Sequence, residues 1–154
     1  MRKRTRSREF ALQVLYEIDV AGPELEEALE DFWLDRSDLA LSNSEKEAVE
    51  HDKQEPEIRE YAERLVRGTL SKLSSIDLTI ERFAENWAMG RMACVDRNIL
   101  RLAAFEMLFV EDIPIKVAIN EAVELAKRYG EADSSKFVNG ILDRIAKTEC
   151  KSKP

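Results

Sequence analysis

One stretch of the chain decides the fold class: residues 92–111, which read MACVDRNILRLAAFEMLFVE. Its apolar side chains recur at helical spacing and cover most of the circumference of a helix. A helix that is apolar on nearly all sides is buried by its neighbours, so we expect this one at the centre of the fold. The apolar positions behind this prediction are Met92, Val95, Ile99, Leu102, Ala103, Phe105, Leu108 and Phe109.

Outward from this helix, amphipathic patterns predict further helices on both sides. Gly22-Pro23 ends the first of them, and Ser74-Ser75 separates two helices of the middle region. The prediction is an all-α fold with about seven helices, which cover about residues 5–20, 23–32, 56–73, 76–90, 92–111, 115–129 and 133–145.

Composition supports the same fold class. The chain has 154 residues, enough for one domain with a buried core. Ala, Leu and Glu, which favour helices, number 53, whereas Val, Ile and Thr number 23. Five glycines and four prolines supply little of the turn chemistry that a β sandwich needs. We therefore expect a single all-α domain that spans residues 1–154.

Residues 35–55 interrupt the helical pattern. They are mostly polar and charged, and Leu39, Ala40 and Leu41 form their one short apolar island. A segment without an apolar face has little to pack against a core. We predict a long, charged, solvated loop or insertion here, with at most one weak helical turn.

Charge is unevenly distributed along the chain. The net charge is −7, yet residues 1–8 carry five basic side chains and no acid, whereas residues 24–60 carry a net charge of −10. A basic tip on an acidic body suggests a local contact with a polyanion. A solubilising amino-terminal tail is the alternative. The candidate cationic contacts are Arg2, Lys3, Arg4, Arg6 and Arg8.

Tyr16 on the first predicted helix is a candidate for base stacking. At about 100° per residue, it projects opposite to the apolar stripe that contains Phe10, Val14 and Ile18. An outward aromatic ring near an arginine-rich end suits stacking on an RNA base. If this helix is instead sandwiched between two others, Tyr16 belongs to the core.

The start of the last predicted helix is a second candidate binding region. Asp133 or Ser134 is a suitable N-cap, and Lys136 lies beside the free N–H groups of the first turn. Such a helix start favours an anion. An ordinary capped helix is the simpler interpretation of this segment taken alone.

No catalytic constellation is recognisable. The single histidine, His51, lies in the charged segment, and the chain has no glycine-rich phosphate loop. Cys94 and Cys150 are 56 residues apart, without paired metal spacing, which fits a reducing compartment. Neither a signal peptide nor an apolar run of the roughly 18 residues that span a membrane is recognisable. We expect a cytoplasmic binding protein that is not an enzyme and holds no metal or cofactor.

Four motifs resemble the bacterial transcription antitermination factors of the NusB family. The two most extensive are IPIKVAINEAVELAK at residues 113–127 and KFVNGILD at residues 136–143. RTRSREFALQVLY at residues 4–16 and VDRNILRLA at residues 95–103 are also similar. Their joint order makes the resemblance specific. Residues 35–55 depart from it, because they look longer and more acidic than the usual connection of the family.

The resemblance implies an all-helical fold of two packed helical bundles and a function in transcription. NusB-like proteins pair with NusE, a protein of the small ribosomal subunit, and the pair binds the single-stranded boxA element of nascent RNA. The pair then joins the RNA polymerase elongation complex with other Nus factors. It suppresses premature termination, notably in ribosomal RNA operons.

The resemblance also assigns residues by their position in the motifs. Arg4, Arg6, Arg8 and Tyr16 match the RNA-contacting first helix, and we add Arg2 and Lys3 to this group. A composite RNA and partner surface is matched by Asp96, Asp133, Lys136 and Phe137, of which we assign Lys136 and Phe137 to RNA.

Two other classes of function stay open at this stage. One is a helical adaptor or homodimer whose basic end is occupied by its own acidic region. The other is an accessory module that assists an RNA methyltransferase in trans, because NusB-like domains also occur fused to such enzymes.

Overall fold

The computed structural model describes residues 2–35, 42–85, 87–151 and 153. Within these residues the chain forms eight α-helices, one short 3-10 helix (Met89–Arg91) and no strand. The all-α prediction is confirmed, with one helix more than the seven predicted. The helices are α1 (Lys3–Ala21), α2 (Leu25–Leu34), α3 (Asn43–Gln54), α4 (Pro56–Ser71), α5 (Leu73–Phe83), α6 (Cys94–Phe109), α7 (Ile115–Tyr129) and α8 (Ser134–Glu149).

The helices form two compact units, Met1–Arg67 and Gly68–Pro154. The first unit holds α1, α2, α3 and most of α4, and the second holds the end of α4 together with α5 to α8. The single domain expected from the chain length stays a prediction. Among the helices described, none combines the length and hydropathy that crossing a bilayer requires.

The core of the first unit lies between α1, α2 and α4. Phe10 of α1 contacts Phe32 and Trp33 of α2 edge to face, with ring centroids 5.3 and 5.8 Å apart. Ser7 Oγ, which is buried on α1, donates a hydrogen bond of 2.7 Å to the carbonyl oxygen of Ile58 in α4. Aromatic packing against α2 and the hydrogen bond to α4 therefore hold the amino-terminal half of α1 in place.

The prediction of a loop at residues 35–55 is wrong for residues 43–54, because they form helix α3. Ser42 is its N-cap, and Ser42 Oγ accepts a hydrogen bond of 3.2 Å from the N–H of Glu45. Residues 36–41 of the predicted loop, with the apolar island, lie outside the described residues.

At the other end of α3, Lys53 anchors the helix to α2. The Lys53 side chain is buried, and Nζ donates hydrogen bonds of 2.9 and 3.0 Å to the carbonyl oxygens of Phe32 and Asp35. The ammonium also lies 4.2 Å from the centroid of the Phe32 ring. A cap and a polar anchor hold α3, so hydrophobic periodicity does not detect it.

Helix α6 forms the centre of the second unit, as predicted. Helices α5, α7 and α8 pack against it, and its side chains from residue 98 to residue 107 are buried except Arg101. Arg101 binds the carboxylate of Asp77 in α5 through two hydrogen bonds of 2.9 Å. The end of α4 also lies close, because a Cβ on Gly68 would collide with the Phe105 ring.

Two helix boundaries differ from the prediction. The break between α4 and α5 falls at Lys72, whose φ of −110° and ψ of 16° leave the helical region, and Ser74-Ser75 lies inside α5. Helix α5 ends at Phe83, earlier than predicted. Trp87, which the helical pattern assigned to an apolar stripe, therefore lies outside the helix.

The carboxyl end of α6 is closed by Lys153. Its Nζ donates hydrogen bonds to the backbone carbonyl oxygens of Glu106, Met107 and Val110, at 2.9, 3.2 and 2.7 Å. A helix leaves its last carbonyls unpaired and favours positive charge there. Burial lowers the pKa of Lys153 from its ordinary value.

Candidate nucleic-acid interface

The amino-terminal end of α1 presents basic side chains at the start of a helix. Arg2 precedes the helix, Lys3 and Arg4 open it, and all three are exposed. The first turn contains no acidic residue, so the unpaired N–H groups at the positive end of the helix dipole add to the side-chain charge. This arrangement favours a phosphate group.

Lys3 is paired but accessible. Its Nζ lies 3.3 Å from Glu57 Oε2 and 3.7 Å from Glu55 Oε1. The hydrogen bond to Glu57 and the charge of Glu55 raise the pKa of Lys3, so the ammonium stays protonated. Because exposed ion pairs contribute little to stability, a phosphate can replace either carboxylate.

Arg6 is less accessible than Lys3. Its Nε donates a hydrogen bond of 2.7 Å to Asp52 Oδ2 in α3, and one terminal nitrogen lies 3.3 Å from Glu9 Oε1. The Arg6 side chain is 17% exposed, and Glu9 is buried. Two carboxylates therefore neutralise a side chain that the charge pattern assigned to a free cationic tip.

Arg8 does not belong to the exposed cationic surface. It is 3% exposed, and its guanidinium carbon lies 5.9 Å from the centroid of the Tyr61 ring. The guanidinium of Arg4 lies 4.3 Å from the same centroid and keeps access to solvent. A direct contact of Arg8 with RNA would require its side chain to leave this position. The exposed cations at the start of α1 are thus Arg2, Lys3 and Arg4.

Tyr16 projects outward from α1, as predicted. It is 40% exposed, whereas Leu12, one turn earlier, is 4% exposed. The sandwiched interpretation therefore describes the first half of α1 and not Tyr16. Tyr16 lies twelve residues after Arg4, about 18 Å along the helix axis, a span that several nucleotides of a single strand can cover.

In the second unit, the start of α8 exposes Asp133 and Lys136. Asp133 is the N-cap residue, but its side chain makes no capping hydrogen bond. Ser134 instead turns back, and its Oγ accepts a hydrogen bond of 2.9 Å from the N–H of Glu131. Both charged side chains thus face solvent beside the free N–H groups of a helix start.

An aromatic pair adjoins this helix start. The rings of Phe137 and Trp87 meet edge to face with centroids 6.1 Å apart, and Trp87 is 48% exposed. Trp87 continues the four-residue spacing from Phe83, so the sequence pattern does not distinguish it from a core residue. Gly90, three residues later, was the available signal that the helix ends nearby.

Asp96 lies in the first turn of α6. Its Oδ1 atom is buried and has no hydrogen-bond partner among the described residues. A buried carboxylate oxygen without a donor carries a desolvation cost. Because this oxygen is closed to solvent, a donor on a bound molecule reaches it only if the groups that cover it move.

The cysteines and the histidine build no reactive centre within the described part of the chain. No group of three or more His, Cys, Asp or Glu side chains there is arranged to hold a metal ion. Cys94 is half-buried and Cys150 is buried, and burial raises the pKa of the Cys150 thiol, which makes it a poor nucleophile. His51 is exposed next to Asp52.

Comparisons with known proteins agree with these features. A family model described as the NusB family matches residues 5–147. The transcription antitermination protein NusB of Anaeromyxobacter sp. (strain Fw109-5) is 49% identical over 144 residues, which is 94% of this chain and 90% of the relative.

Solved structures are similar over nearly the whole chain. The structure of Thermotoga maritima NusB has a TM-score of 0.74 and 42% identity, and the match covers 94% of this chain and 91% of that one. A structure of antitermination factors NusB and NusE in complex with dsRNA has a TM-score of 0.75 and 31% identity, with 96% and 98% covered. The resemblance carried by the four motifs is thereby confirmed, and the chain belongs to the NusB family.

Proposed function

We propose that the chain is a transcription antitermination factor that binds boxA RNA together with NusE. The pair holds the single-stranded element of a nascent transcript, joins the RNA polymerase elongation complex with other Nus factors and prevents premature termination, notably in ribosomal RNA operons. The observation that carries this proposal is the family match over residues 5–147. The similar NusB and NusE structure, solved with RNA, supports the choice of partner and ligand.

In the first unit, Arg2, Lys3 and Arg4 supply phosphate contacts, and Tyr16 stacks on a base. Their exposure at the positive end of α1 supports these roles. Arg6 contacts RNA once it is released from Asp52. The burial of Arg8 gives it a positioning role beside Tyr61, in place of the direct contact that the family motif implies.

In the second unit, Lys136 supplies a phosphate contact, and Phe137 stacks on a base. Trp87 joins Phe137 in this role, because its ring is exposed and meets the Phe137 ring. Asp96 and Asp133 accept hydrogen bonds from RNA or from NusE. The buried, unpartnered oxygen of Asp96 supports a role in recognising such a donor.

The protein acts by binding and not by catalysis, as a single domain built from two packed helical bundles. Exposed cations and exposed aromatic rings suit a single-stranded RNA ligand, and each unit carries both, on the same helix in the first unit and at one helix start in the second. Because bacterial transcripts are synthesised in the cytoplasm, the protein acts there. The two compact helical units support the two-bundle architecture.

A titration of labelled single-stranded boxA RNA tests the proposal, with the chain alone and with its cognate NusE. We expect the pair to bind more tightly than the chain alone, and to prefer boxA over a scrambled oligonucleotide of the same length. Size-exclusion chromatography at two salt concentrations accompanies the titration. A dimer that forms without RNA and ignores boxA would contradict the proposal and favour a helical adaptor.

A further inference from the structure

Helix α3 carries acidic side chains onto the cationic end of α1. Asp52, near the end of α3, accepts a hydrogen bond of 2.7 Å from Arg6 Nε. Glu55, which follows the helix directly, and Glu57 lie 3.7 and 3.3 Å from Lys3 Nζ. The carboxylates of this region thus bind Arg6 and Lys3, two of the basic side chains that the proposed function assigns to RNA.

RNA and these carboxylates need the same atoms. Asp52 occupies the Nε donor of Arg6, and Glu9 occupies one of its terminal nitrogens, so a phosphate competes with two carboxylates for this guanidinium. Residues 24–60 carry a net charge of −10, which repels a polyanion that approaches while α3 stays docked. RNA therefore competes with carboxylates that bind the same side chains, and the acidic region also repels RNA over a longer distance.

Helix α3 is attached in a way that permits withdrawal. The buried residue of α3 is Lys53. The two apolar residues of the helix are not buried, because Ala48 is exposed and Val49 is half-buried, and its other side chains are polar. An element with few buried apolar contacts opens at low free-energy cost compared with core helices such as α6. The ion pair between Asp52 and Arg6 consequently adds to the Lys53 anchor in keeping α3 in place.

We propose that α3 is an intramolecular competitor of RNA, which masks the cations of α1 until RNA displaces it. Asp52 is the principal masking residue, and Glu55 and Glu57 assist it at Lys3. The proposal rests on the proposed RNA-binding function. A polyanion that binds through charge alone cannot displace the carboxylates, whereas an RNA strand that also gains base contacts elsewhere can. The competitor therefore lowers the affinity for every polyanion but improves the selectivity for the specific RNA.

Two matched variants test the competitor. Asp52→Asn removes the charge that holds Arg6, whereas Glu47→Gln removes one charge from an exposed position of α3 that pairs with none of the described basic side chains. With boxA RNA at about 0.15 M salt, we expect D52N to bind about two- to fivefold more tightly, the range given by releasing a part-exposed ion pair. E47Q changes the affinity by less than about 1.5-fold, because salt screens a distant charge.

The slope of the salt dependence gives a second readout. In the unmodified protein, the displaced Asp52 takes up a cation, which offsets part of the counter-ion release on RNA binding. D52N has no carboxylate to do so, so the logarithmic slope of affinity against salt should steepen by up to about 0.7. In the unmodified protein, the NMR signal of the Arg6 Nε–H should move when RNA is added, as its acceptor changes from carboxylate to phosphate. Circular dichroism checks that α3 remains helical in D52N, and the double variant Glu55→Gln with Glu57→Gln tests the masking at Lys3 independently.

Each outcome decides between the competitor and its rivals. If D52N and E47Q raise the affinity for boxA RNA equally, the effect comes from overall charge, and the proposal is overturned. Weaker binding by D52N would mean that Asp52 orients Arg6 for RNA, which also overturns it. If boxA binds the unmodified protein but D52N changes nothing, the competitor alone is refuted. If neither protein binds boxA with or without NusE, the proposed function fails and the competitor falls with it.

Discussion

At the scale of single residues, burial decides which charges of α1 can act on a ligand. Arg4 and Arg8 share the Tyr61 ring, yet Arg4 is exposed and Arg8 is buried. A buried arginine contributes through packing and its fixed partners, whereas an exposed one can exchange its partners for a phosphate. Substitutions at these two positions therefore test different properties, ligand affinity at Arg4 and folding stability at Arg8.

Tyr16→Ala should weaken boxA binding without weakening the fold. Because the Tyr16 ring is exposed, its removal costs the stacking of one base, about 1–3 kcal/mol of binding free energy, and little unfolding free energy. Tyr16→Phe is the control and should keep most of the affinity. RNA titration and thermal unfolding measure the two effects. If Tyr16→Ala instead lowers the melting temperature strongly, Tyr16 belongs to the core.

Gly68→Ala should destabilise the protein. A Cβ at residue 68 would collide with the Phe105 ring, and overpacking a core costs about 1–3 kcal/mol. This loss should exceed the gain in helix propensity of about 1 kcal/mol. Gly90→Ala is the control, because a Cβ there meets open space. Urea unfolding compares the variants, and a more stable Gly68→Ala protein would show that the Phe105 ring moves aside freely.

At the scale of elements, the two units illustrate when a sequence pattern predicts a helix. Helix α6 is predicted because apolar side chains cover most of its circumference, a pattern that indicates a buried helix. Helix α3 is not, since it depends on the Ser42 cap and on two carbonyls outside the helix that Lys53 reaches. The Lys53 contacts join positions far apart in the chain, so local spacing carries no trace of them, whereas Ser42 and Glu45 are three residues apart and form a local signal for a helix start.

Lys53→Met should loosen α3 while the rest of the first unit remains folded. Methionine keeps the length of the side chain but leaves the carbonyls of Phe32 and Asp35 without their donor, a loss of about 1–3 kcal/mol. Faster hydrogen exchange confined to the amides of α3 is the expected result. Lys46→Met on the same helix is the control, and equal exchange in both variants would deny Lys53 its anchoring role.

At the scale of the whole molecule, the exposed cations should set the salt dependence of RNA binding. Arg2→Ala combined with Arg4→Ala removes two phosphate contacts, so the logarithmic slope against salt should flatten by about 1.4. Arg64→Ala, which removes an exposed arginine outside the amino-terminal group, is the control. Titrations of the complex with NusE at several salt concentrations measure the slopes. An unchanged slope in the double variant would exclude these arginines from the interface.

The candidate site was partly predictable from the sequence for physical reasons. The orientation of Tyr16 follows from helix geometry alone, and the basic start of α1 follows from counting charges. The burial of Arg8 and the pairing of Arg6 depend on Tyr61 and Asp52, more than forty residues away in the chain. Trp87 lies outside the helical stripe because α5 ends at Phe83, an end that Gly90 indicates only approximately.

The lysine at the carboxyl end of α6 links two parts of the chain that are far apart in sequence. Because Lys153 donates to three backbone carbonyls there, it satisfies groups that α6 leaves unpaired by itself. The residues that follow α8 therefore add to the stability of a helix that ends more than forty positions earlier. A substitution of Lys153 should lower the melting temperature although it changes no helical residue.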